Sequence, residues 1–508
     1  MLAILLGKQK DNKNRFLIKK KENLMFIVGI EPRAPGMHIF TGVRLPRLGL
    51  PLLFTMAKKM GHQGEIYCED IAPIDWERVR QADIICISSI TSTIPRAYDF
   101  IRKIRKELKL TVPILIGGPH VTFLPDEALD HGADYVFRHE ADLSFPMWLK
   151  WWENGRDPRE LFDIPDLSFK VGSENHHNTT NLPRQWVDLD TLPTPDLRLI
   201  VGFDKPSVIP LITSRGCPWD CDFCSEYEMF GNEYRFRSKE LVIDDLRFYD
   251  SIYGETPVFI ADDNAAANPT RLKQLCVSIV SNGLVREFSC QVRLDLGKRP
   301  RIVAMMSMAG VTRVFVGYES TNQRSLDAAG KKLKFADMRK LTKVFHRYGI
   351  AIHAMWVLGF DDDTIETVKQ TIRCCIRWGI ETTQFLILVP IPGAPLYRRF
   401  VDQGRIIVHN WAKYDGLHVT FRPLGMTALQ LQVAVMLDAM PRVYNLWQTY
   451  KLLVLNNLRT AWGVVTRRTK HPRINMRGNI ATFFARLGGR IAIKKIRPQV
   501  TKYLESLK

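Results

Sequence analysis

Residues 214–224 carry the stretch Ser214-Arg215-Gly216-Cys217-Pro218-Trp219-Asp220-Cys221-Asp222-Phe223-Cys224, in which the cysteines follow a C-x3-C-x2-C pattern. Thiolates are soft ligands, and they suit iron–sulfur clusters better than hard cations. Three thiolates at this spacing predict a cluster in which the protein holds three irons and leaves the fourth open. An open metal position can bind a small molecule, as the open position of a catalytic zinc binds water.

Two other interpretations of these cysteines fit the sequence less well. A structural zinc site would need a second C-x2-C or a pair of histidines nearby, and none follows in the sequence. Disulfides are disfavoured because the cysteines are so close together and no secretion signal is evident. The other six cysteines are scattered, mostly in apolar runs, which is typical of buried structural thiols. The iron–sulfur interpretation therefore stands, and it fits a reducing cytoplasm.

The stretch resembles the cluster loop of the radical SAM enzymes, including the aromatic Phe223 just before the last cysteine. The resemblance implies that Cys217, Cys221 and Cys224 bind a [4Fe-4S] cluster and form the catalytic centre. The open iron would chelate the methionine part of S-adenosylmethionine (SAM), and a reduced cluster would cleave SAM to methionine and a 5′-deoxyadenosyl radical. It further implies an external one-electron reductant of the flavodoxin or ferredoxin kind.

The cluster loop opens a region of repeated strand and helix patterns, from residue 206 to residue 425. Six runs are strand-like and most are followed by a helical run; they cover residues 208–213, 257–261, 287–293, 313–317, 351–358 and 383–390. Six such units resemble the partial (β/α)6 barrel of the radical SAM fold. Barrels of this kind place their catalytic groups at the carboxyl ends of the strands.

The polar and glycine residues at these strand ends are the predicted SAM site. Arg293 could neutralise the SAM carboxylate, and Glu319 could accept from its amino group or ribose. Each residue alone could instead be a helix cap or part of a salt bridge, as Asp361–Asp363 could be before Thr364. Tyr227, Tyr318 and His353 are candidate proton donors by position only. The predicted SAM-binding residues are Phe223, Asp262, Asp263, Gln291, Arg293, Glu319, Ser320, Gly359 and Pro390.

Residues 25–155 alternate short strands with helices, which predicts a doubly wound, Rossmann-like parallel sheet. Ligands of such sheets bind beyond the carboxyl ends of the strands. Two of these ends carry the loops Ser88-Ser89-Ile90-Thr91-Ser92 and Gly117-Gly118-Pro119-His120. Small hydroxyl residues and glycines there allow a large, flat ligand to approach closely.

This region resembles the cobalamin-binding domain that precedes many radical SAM domains. Pro46-Arg47-Leu48-Gly49-Leu50-Pro51 and Arg138-His139-Glu140 carry the resemblance together with the two loops. The D-x-H-x-x-G loop that supplies a histidine to cobalt in methionine-synthase-type domains is absent, so the cobalt face would be open or ligated otherwise. A Rossmann-like domain that has lost its cofactor is the alternative. The predicted cobalamin residues are Ser88, Ser89, Thr91, Ser92, Gly117, Gly118, His120 and Glu140.

The 508 residues are enough for two or three domains, and the expected fold class is α/β. The expected division is a basic tail over 1–24, the cobalamin-binding domain over 25–155 and a linker over 156–205. The radical SAM barrel follows over 206–425, and a basic helical region closes the chain over 426–508. Pro441, Pro472 and Pro498 are expected to break the helices of that last region.

The C-terminal region carries most of the excess positive charge of the chain. Residues 425–508 contain fifteen Lys and Arg and only two acidic residues, Asp438 and Glu505, mixed with aromatic side chains. Such a segment can contact anionic lipid or nucleic acid, or it can be a solvated helical cap. No apolar stretch reaches the length of a membrane span. The interpretation adopted is a cytoplasmic protein with peripheral contact at the inner face of the membrane.

The combination resembles the cobalamin-dependent, class B radical SAM methylases, and it implies methylation of an unactivated carbon on a hydrophobic, lipid- or isoprenoid-like substrate. Ring closure, carbon–carbon coupling or cobalamin-independent hydrogen abstraction on a lipid or other small molecule are the alternatives. A tRNA-modifying methylthiotransferase is disfavoured because that type has three further N-terminal cysteines, whereas only Cys68 and Cys86 occur here. A non-catalytic sensor would not need an open iron.

Overall fold

The computed structural model describes residues 24–34, 45–178, 186–468 and 471–505. Almost all of the expected basic tail over residues 1–24 therefore lies outside the described residues. The rest forms two large sheets with helices packed on them, one short two-stranded hairpin and a helical C-terminal region, which confirms the predicted α/β class.

The N-terminal sheet has seven strands in the order β2-β1-β3-β4-β5-β6-β7. The first five are parallel, as predicted, while β6 and β7 add to the β5 edge in antiparallel pairs. Because β6 and β7 come from residues 167–177, the sheet continues past the expected boundary at residue 155. The strands are β1 (Phe26–Glu31), β2 (Gln63–Cys68), β3 (Ile84–Ser88), β4 (Ile114–Gly117), β5 (Tyr135–Phe137), β6 (Leu167–Val171) and β7 (Glu174–His177).

The strands of this sheet are apolar on both faces because helices cover both. In β3, Ile85 packs in one buried cluster, whereas its neighbours Ile84 and Cys86 pack in the other. Such continuous apolar runs are typical of a parallel sheet buried on both sides. The helices are α1 (Gly49–Met60), α2 (Trp76–Arg80), α3 (Ile94–Arg102), α4 (Pro119–Phe123), α5 (Pro125–Asp130) and α6 (Ser144–Glu153).

The second sheet has six strands, all parallel, in the order β15-β14-β13-β12-β11-β8. Each strand lies next to the one that follows it in the chain, with the short hairpin of β9 and β10 set apart. This is the predicted partial barrel. The strands are β8 (Ile209–Leu211), β9 (Ser214–Arg215), β10 (Arg235–Phe236), β11 (Val258–Ile260), β12 (Phe288–Val292), β13 (Val311–Glu319), β14 (Ala351–Leu358) and β15 (Thr382–Ile387).

Helices cover the outside of this sheet and leave its carboxyl edge open. One irregularity at that edge matters for the site. The pairing of β13 with β14 shifts between Gly317 and Glu319, and Glu319 has φ +60°. A bulge of this kind re-aims a side chain at a strand end. The helices are α7 (Glu226–Phe230), α8 (Lys239–Tyr253), α9 (Pro269–Ser281), α10 (Pro300–Met308), α11 (Gln323–Ala328), α12 (Phe335–Arg347), α13 (Ile365–Trp378) and α14 (Pro395–Asp402).

The C-terminal region is helical, as predicted, with α15 (Ala428–Val433), α16 (Met440–Val443), α17 (Leu446–Val465) and α18 (Pro472–Glu505). The prediction that Pro498 breaks a helix is wrong: α18 continues through it. Asn475 of α18 donates to the carbonyl of Gly349, just before β14, and Arg486 donates to the carbonyl of Glu381, just before β15. The helix therefore lies across the amino ends of the strands, opposite the cluster loop. None of the helices among the described residues is both long and apolar enough to cross a bilayer.

Candidate active site

The cluster loop follows β9 at the carboxyl edge of the second sheet. Its three cysteines are partly exposed, whereas the other six are buried. A Cβ on Gly216, which has φ +83°, would lie 2.3 Å from the carbonyl oxygen of Glu233, so the loop can start only with glycine. In the described residues no three His, Cys, Asp or Glu side chains are close enough to share one metal ion. A cluster makes a different demand, because each thiolate binds a separate iron, and three accessible thiols in one loop fit it.

Several contacts hold the two ends of this loop. The buried carboxylate of Asp262 accepts hydrogen bonds from the backbone and hydroxyl groups of Thr213 and Ser214, at 2.6 to 3.0 Å. At the other end, Asp222 pairs with Arg399 at 2.8 Å, and its carbonyl accepts from the backbone N–H of Leu396. Asp262, predicted as a SAM ligand, thus has four protein donors and fixes the entry to the loop.

Positive charge collects beside the cysteines. Burial raises the pKa of Cys221, and the nearby Lys331 and Arg293 oppose that rise. Lys331 lies 2.7 Å from Glu319, and the guanidinium of Arg293 lies 3.9 Å from the ring centroid of Trp219. These cations favour the thiolates that an iron–sulfur cluster requires.

Glu319 is the last residue of β13, and its left-handed backbone conformation directs its side chain. A Cβ on Gly317 would come within 2.2 Å of the Glu319 carboxylate and 2.9 Å of Lys331 Nζ. The glycine therefore makes room for the ion pair between these two side chains. Neither Lys331 nor Trp219 was singled out from the sequence, since only the fold brings Lys331 from the end of α11 to the cluster loop.

Two of the predicted SAM residues, Ser320 and Gly359, hydrogen-bond to Asp363 in the turn that follows β14. The carboxylate of Asp363 accepts from the hydroxyl of Ser320 at 3.0 Å and from the backbone N–H of Gly359 at 3.1 Å. Phe360 in this turn lies edge-to-face with Phe223 of the cluster loop, with ring centroids 5.8 Å apart. Pro390 is buried beyond β15, and Gln291 is partly exposed on β12. All of these residues lie at or near the same sheet edge, as predicted.

A pair of buried carboxyl groups adjoins the last cysteine. Burial raises the pKa of Glu226, and the neighbouring Asp263 raises it further. Burial likewise raises the pKa of Asp263, with the negative charge of Asp262 adding to it. Like charges at close range cannot both ionise cheaply, so the pair shares a proton near neutral pH.

A cavity of about 270 Å³ opens between the two sheets. Predicted residues on its wall are Ser88, Gly117, Gly118 and Glu140, and Ile212, Arg215 and Met229 of the second domain complete it. Gly118 has φ +117°, and a Cβ there would lie 2.1 Å from the carbonyl oxygen of Ser89. The glycine lets this loop pack against Ser89 at the cavity edge, and the mostly apolar walls suit a large flat macrocycle such as a corrin. The residues present therefore fit cobalamin.

Four predicted cobalamin residues are not on this wall. The hydroxyl of Ser89 lies 2.8 Å from that of Thr93, and Thr91 and Ser92 are buried in the same short helical turn. His120 is fully buried, 3.4 Å from Glu127 and edge-to-face with Trp411. They were predicted together with Ser88 and Gly117 because they belong to the same two loops.

Two further wall residues, Arg47 and His139, lie in motifs that carry the cobalamin-domain resemblance but are not among the predicted cobalamin residues. Arg47 donates to the carbonyl of Ser88 at 3.2 Å, and His139 places Nδ1 3.2 Å from the carbonyl oxygen of Met229.

The three candidate proton donors lie in different surroundings. The side chain of Tyr318 is buried and shares a hydrogen bond with Thr342, while His353 lies in β14, 2.9 Å from the Thr382 hydroxyl. Tyr227 is exposed on α7.

Comparison with known proteins agrees with these two sites. The family model of the B12 binding domain matches residues 42–147, and that of the Radical SAM superfamily matches residues 211–375. An uncharacterised methyltransferase of Pyrococcus horikoshii is 28% identical over 421 residues, which cover 80% of this chain and 90% of that protein.

Two further relatives have named substrates. The bacteriochlorophyllide d C-12(1)-methyltransferase of Chlorobaculum tepidum is 25% identical, over 67% of this chain and 70% of its own. The hopanoid C-3 methylase of Methylococcus capsulatus is 24% identical, over 76% of this chain and 74% of its own.

The fold is also that of a solved structure. The radical SAM methyltransferase TsrM from Kitasatospora setae, with cobalamin and a [4Fe-4S] cluster bound, aligns with a TM-score of 0.64 over 89% of this chain and 99% of that one, at 14% identity. The B12-binding match falls on the N-terminal sheet of this chain, and the radical SAM match falls on its second sheet. The chain is therefore a radical SAM enzyme with an N-terminal B12-binding domain, and it is similar to cobalamin-dependent radical SAM methyltransferases.

Proposed function

We propose that this enzyme methylates an unactivated carbon of a hydrophobic, lipid- or isoprenoid-like substrate. One observation carries the proposal: the cavity that fits cobalamin reaches Arg215, which stands two residues before the first cluster cysteine. A methyl carrier and a site of SAM cleavage would thus share one wall. A substrate held between them could meet both without leaving the protein.

The two cofactors would supply the difficult chemistry: the reduced cluster delivers the electron that cleaves SAM, and cobalamin carries a methyl group. One substrate C–H, two SAM and two electrons from a flavodoxin- or ferredoxin-like reductant give the methylated carbon, S-adenosylhomocysteine, methionine and 5′-deoxyadenosine. The proposed task of the protein is to bind, orient and exclude water.

The residues of the carboxyl edge have proposed roles in holding SAM. Glu319 would accept from the SAM amino group, and Arg293 would meet the carboxylate, as their positions beside the cluster cysteines favour. Lys331 pairs with Glu319 at 2.7 Å in a nearly buried place. Asp262, Ser320 and Gly359 would act indirectly, because their hydrogen bonds fix the loops that carry the binding groups.

One part of the barrel interior supports an apolar substrate, beside polar positions such as Gln291 and Gln384. Alternate residues of a strand face opposite sides of a sheet, and the side away from the covering helices faces the barrel interior. Phe259, Phe315 and Met355 are partly exposed at such positions, between fully buried neighbours. Phe259 and Phe315 pack edge-to-face across the strands, with ring centroids 5.4 Å apart. The hopanoid methylase relative is consistent with a substrate of this class.

The proposed setting is the cytoplasm, with the enzyme held at the inner face of the membrane, where such a substrate would reside. Nucleic acid is not the proposed partner, since the two relatives with named substrates, the bacteriochlorophyllide d methyltransferase and the hopanoid methylase, act on small molecules.

An anaerobic reconstitution tests the proposed function. The full chain is loaded with iron, sulfide and hydroxocobalamin, freed of excess, and incubated with a reductant, methyl-labelled SAM and a lipid extract. We expect four irons and one cobalt per chain, and label in an apolar product. The Cys217→Ala variant is the matched control and should transfer no label.

Other outcomes would redirect the proposal. Retained cobalt with 5′-deoxyadenosine formed but no label in the product would indicate ring closure or coupling. Four irons without retained cobalt would indicate a cobalamin-independent hydrogen abstraction and would overturn the methylase proposal.

A further inference from the structure

The helix α17 buries its polar face and exposes its apolar face, which is the opposite of an ordinary surface helix. The side it buries is mostly small or polar, with Thr449, Asn456, Thr460 and Gly463. Its exposed side carries an apolar stripe at the three- and four-residue spacing of one helix face. That stripe consists of Trp447, Tyr450, Val454, Leu458, Trp462 and Val465.

The helix α18 shows the same reversal. Its buried residues include Asn475, Gly478, Thr482, Arg486 and Gly489. Its exposed side carries large apolar residues four and seven apart, namely Met476, Ile480, Phe484 and Ile491. More than half of the exposed large apolar side chains among the described residues lie in α17 and α18.

The inward polar groups are used, which indicates that the orientation of the helices is a specific one. Arg486 is 1% exposed and donates to the carbonyl of Glu381 at 2.8 Å. Arg313 of β13 donates to the hydroxyl of Thr482 at 2.6 Å, and Asn475 donates to the carbonyl of Gly349 at 2.7 Å. Rotating α18 to hide its apolar stripe would break these buried hydrogen bonds, each expensive to leave unmade.

The two helices form an antiparallel hairpin, so the stripes run side by side. Asn479 donates to Asn457 and to Thr460, each at 3.1 Å, and Arg486 donates to Thr449 at 3.2 Å. At 1.5 Å per residue, the stripe from Trp447 to Val465 is about 27 Å long. Trp447 is 69% exposed and Trp462 is 64% exposed, one near each end.

The charged residues of the hairpin itself are basic almost throughout. No Asp or Glu occurs between Asp438 and Glu505. Exposed cations lie at the turn of the hairpin and along the last part of α18: Arg467, Arg468, Arg473, Lys494, Lys495 and Arg497. A groove of about 220 Å³ near the Trp447 end has apolar residues on its floor and Arg490, Lys494 and Arg497 around it.

We propose that the α17–α18 hairpin is an interfacial membrane anchor, which lies flat on an anionic bilayer with its two apolar stripes inserted below the headgroups. Exposed aromatic and aliphatic stripes flanked by cations match an acyl layer beneath anionic headgroups. A second copy fits less well, because two such basic faces would repel each other. Nucleic acid fits less well, because Val454, Leu458 and Ile480 offer nothing to a base or phosphate.

This anchor deepens the proposed function, which places the substrate in a lipid phase, but it can be tested without methyl transfer. The reconstituted full chain is mixed with vesicles of phosphatidylcholine alone or with added phosphatidylglycerol, and sedimented. We expect binding to the anionic vesicles that weakens with salt, and weaker binding to the neutral ones. The double variant Leu458→Glu/Trp462→Glu should bind anionic vesicles at least about tenfold more weakly, since it removes two large apolar side chains from the inserted stripe and adds two negative charges.

The matched control is Leu424→Glu, since Leu424 is 67% exposed and lies outside the hairpin. It should bind like the unaltered protein, and all variants should melt alike because the altered side chains are exposed. Arg467→Glu/Arg468→Glu gives a second test, with binding lost on anionic vesicles only. Should the double variant unfold, this second pair carries the test.

Equal vesicle binding by the stripe variant and the control would overturn the anchor, as would no binding at all. A dimer or an RNA complex that disappears in the stripe variant, with no vesicle binding, would overturn it in favour of that partner. Vesicle binding without labelled product would leave the anchor standing and count only against the proposed chemistry.

Discussion

The guanidinium of Arg215 lies 3.3 Å from the carboxylate of Glu140. Arg215 stands two residues before the first cluster cysteine, and Glu140 follows β5 of the N-terminal sheet. Arg215 also hydrogen-bonds to Asp142, and Arg235 pairs with the same Glu140. These nearly buried charges join the cobalamin cavity to the cluster loop.

Removing the charge of Arg215 should therefore disturb both cofactor sites. Arg215→Gln leaves two carboxylates short of their buried partner, which typically costs about 3 kcal/mol or more. We expect a lower melting temperature and less iron and cobalt retained after reconstitution, measured by calorimetry and metal analysis. The control is Arg159→Gln, whose partner Asp157 is paired at the surface. Identical behaviour of the two variants would contradict the linkage.

A methyl group on Gly118 should displace the loops that form the wall of the cobalamin cavity. The Cβ would lie 2.1 Å from the carbonyl oxygen of Ser89, so the loop must move. We expect Gly118→Ala to bind hydroxocobalamin about fivefold to a hundredfold more weakly in a visible-absorbance titration, since strain of this kind costs ~1–3 kcal/mol. Gly155→Ala is the control, because Gly155 has φ +101° with nothing within 4 Å of its Cβ. Unchanged affinity in the Gly118 variant would place the ligand elsewhere.

The three partly exposed cysteines should each be necessary for the cluster. Replacing Cys217, Cys221 or Cys224 by alanine removes one iron ligand, and we expect near-complete loss of iron and of the visible absorbance after reconstitution. Cys374→Ala is the matched control, because Cys374 is buried on α13. Four irons retained by any of the three loop variants would refute this assignment.

His353 should make the protein less stable in mild acid. Burial lowers the pKa of His353 to about 3, and the nearby Arg313 adds to that effect. Between the unfolded value near 6.5 and the folded value, the unfolded chain binds a proton that the folded chain does not, so stability falls as the pH falls. From pH 7.5 to about pH 5 this residue should cost about 2 kcal/mol.

The comparison of pH profiles isolates that contribution. Denaturant unfolding at several pH values should show a flatter profile for His353→Gln than for the unaltered protein. His409→Gln serves as the control, since His409 is exposed. Parallel profiles for all three proteins would show that His353 does not titrate as its surroundings imply.

Much of the fold could be read along the chain. The six runs of the barrel match the six strands within a few residues, because β-branched and apolar runs bounded by polar loops are local signals. The helix break expected at Pro498 was wrong, since a proline removes one hydrogen bond that the packing of α18 can outweigh. Of the predicted loop residues, Ser88 lines the cavity whereas Ser89, Thr91 and Ser92 do not, because neighbours in one loop can face opposite ways.

The sequence by itself determined the chemistry of the cluster loop, because all three cysteine ligands lie within eight residues and none is supplied by a distant part of the chain. It also determined the order of the two domains. Only the tertiary structure decided what surrounds them: Lys331 beside Glu319, Arg215 against Glu140, and an apolar face turned outward on α17 and α18. Those relationships join residues far apart in the chain, and their geometry depends on how whole elements pack, which no local spacing records.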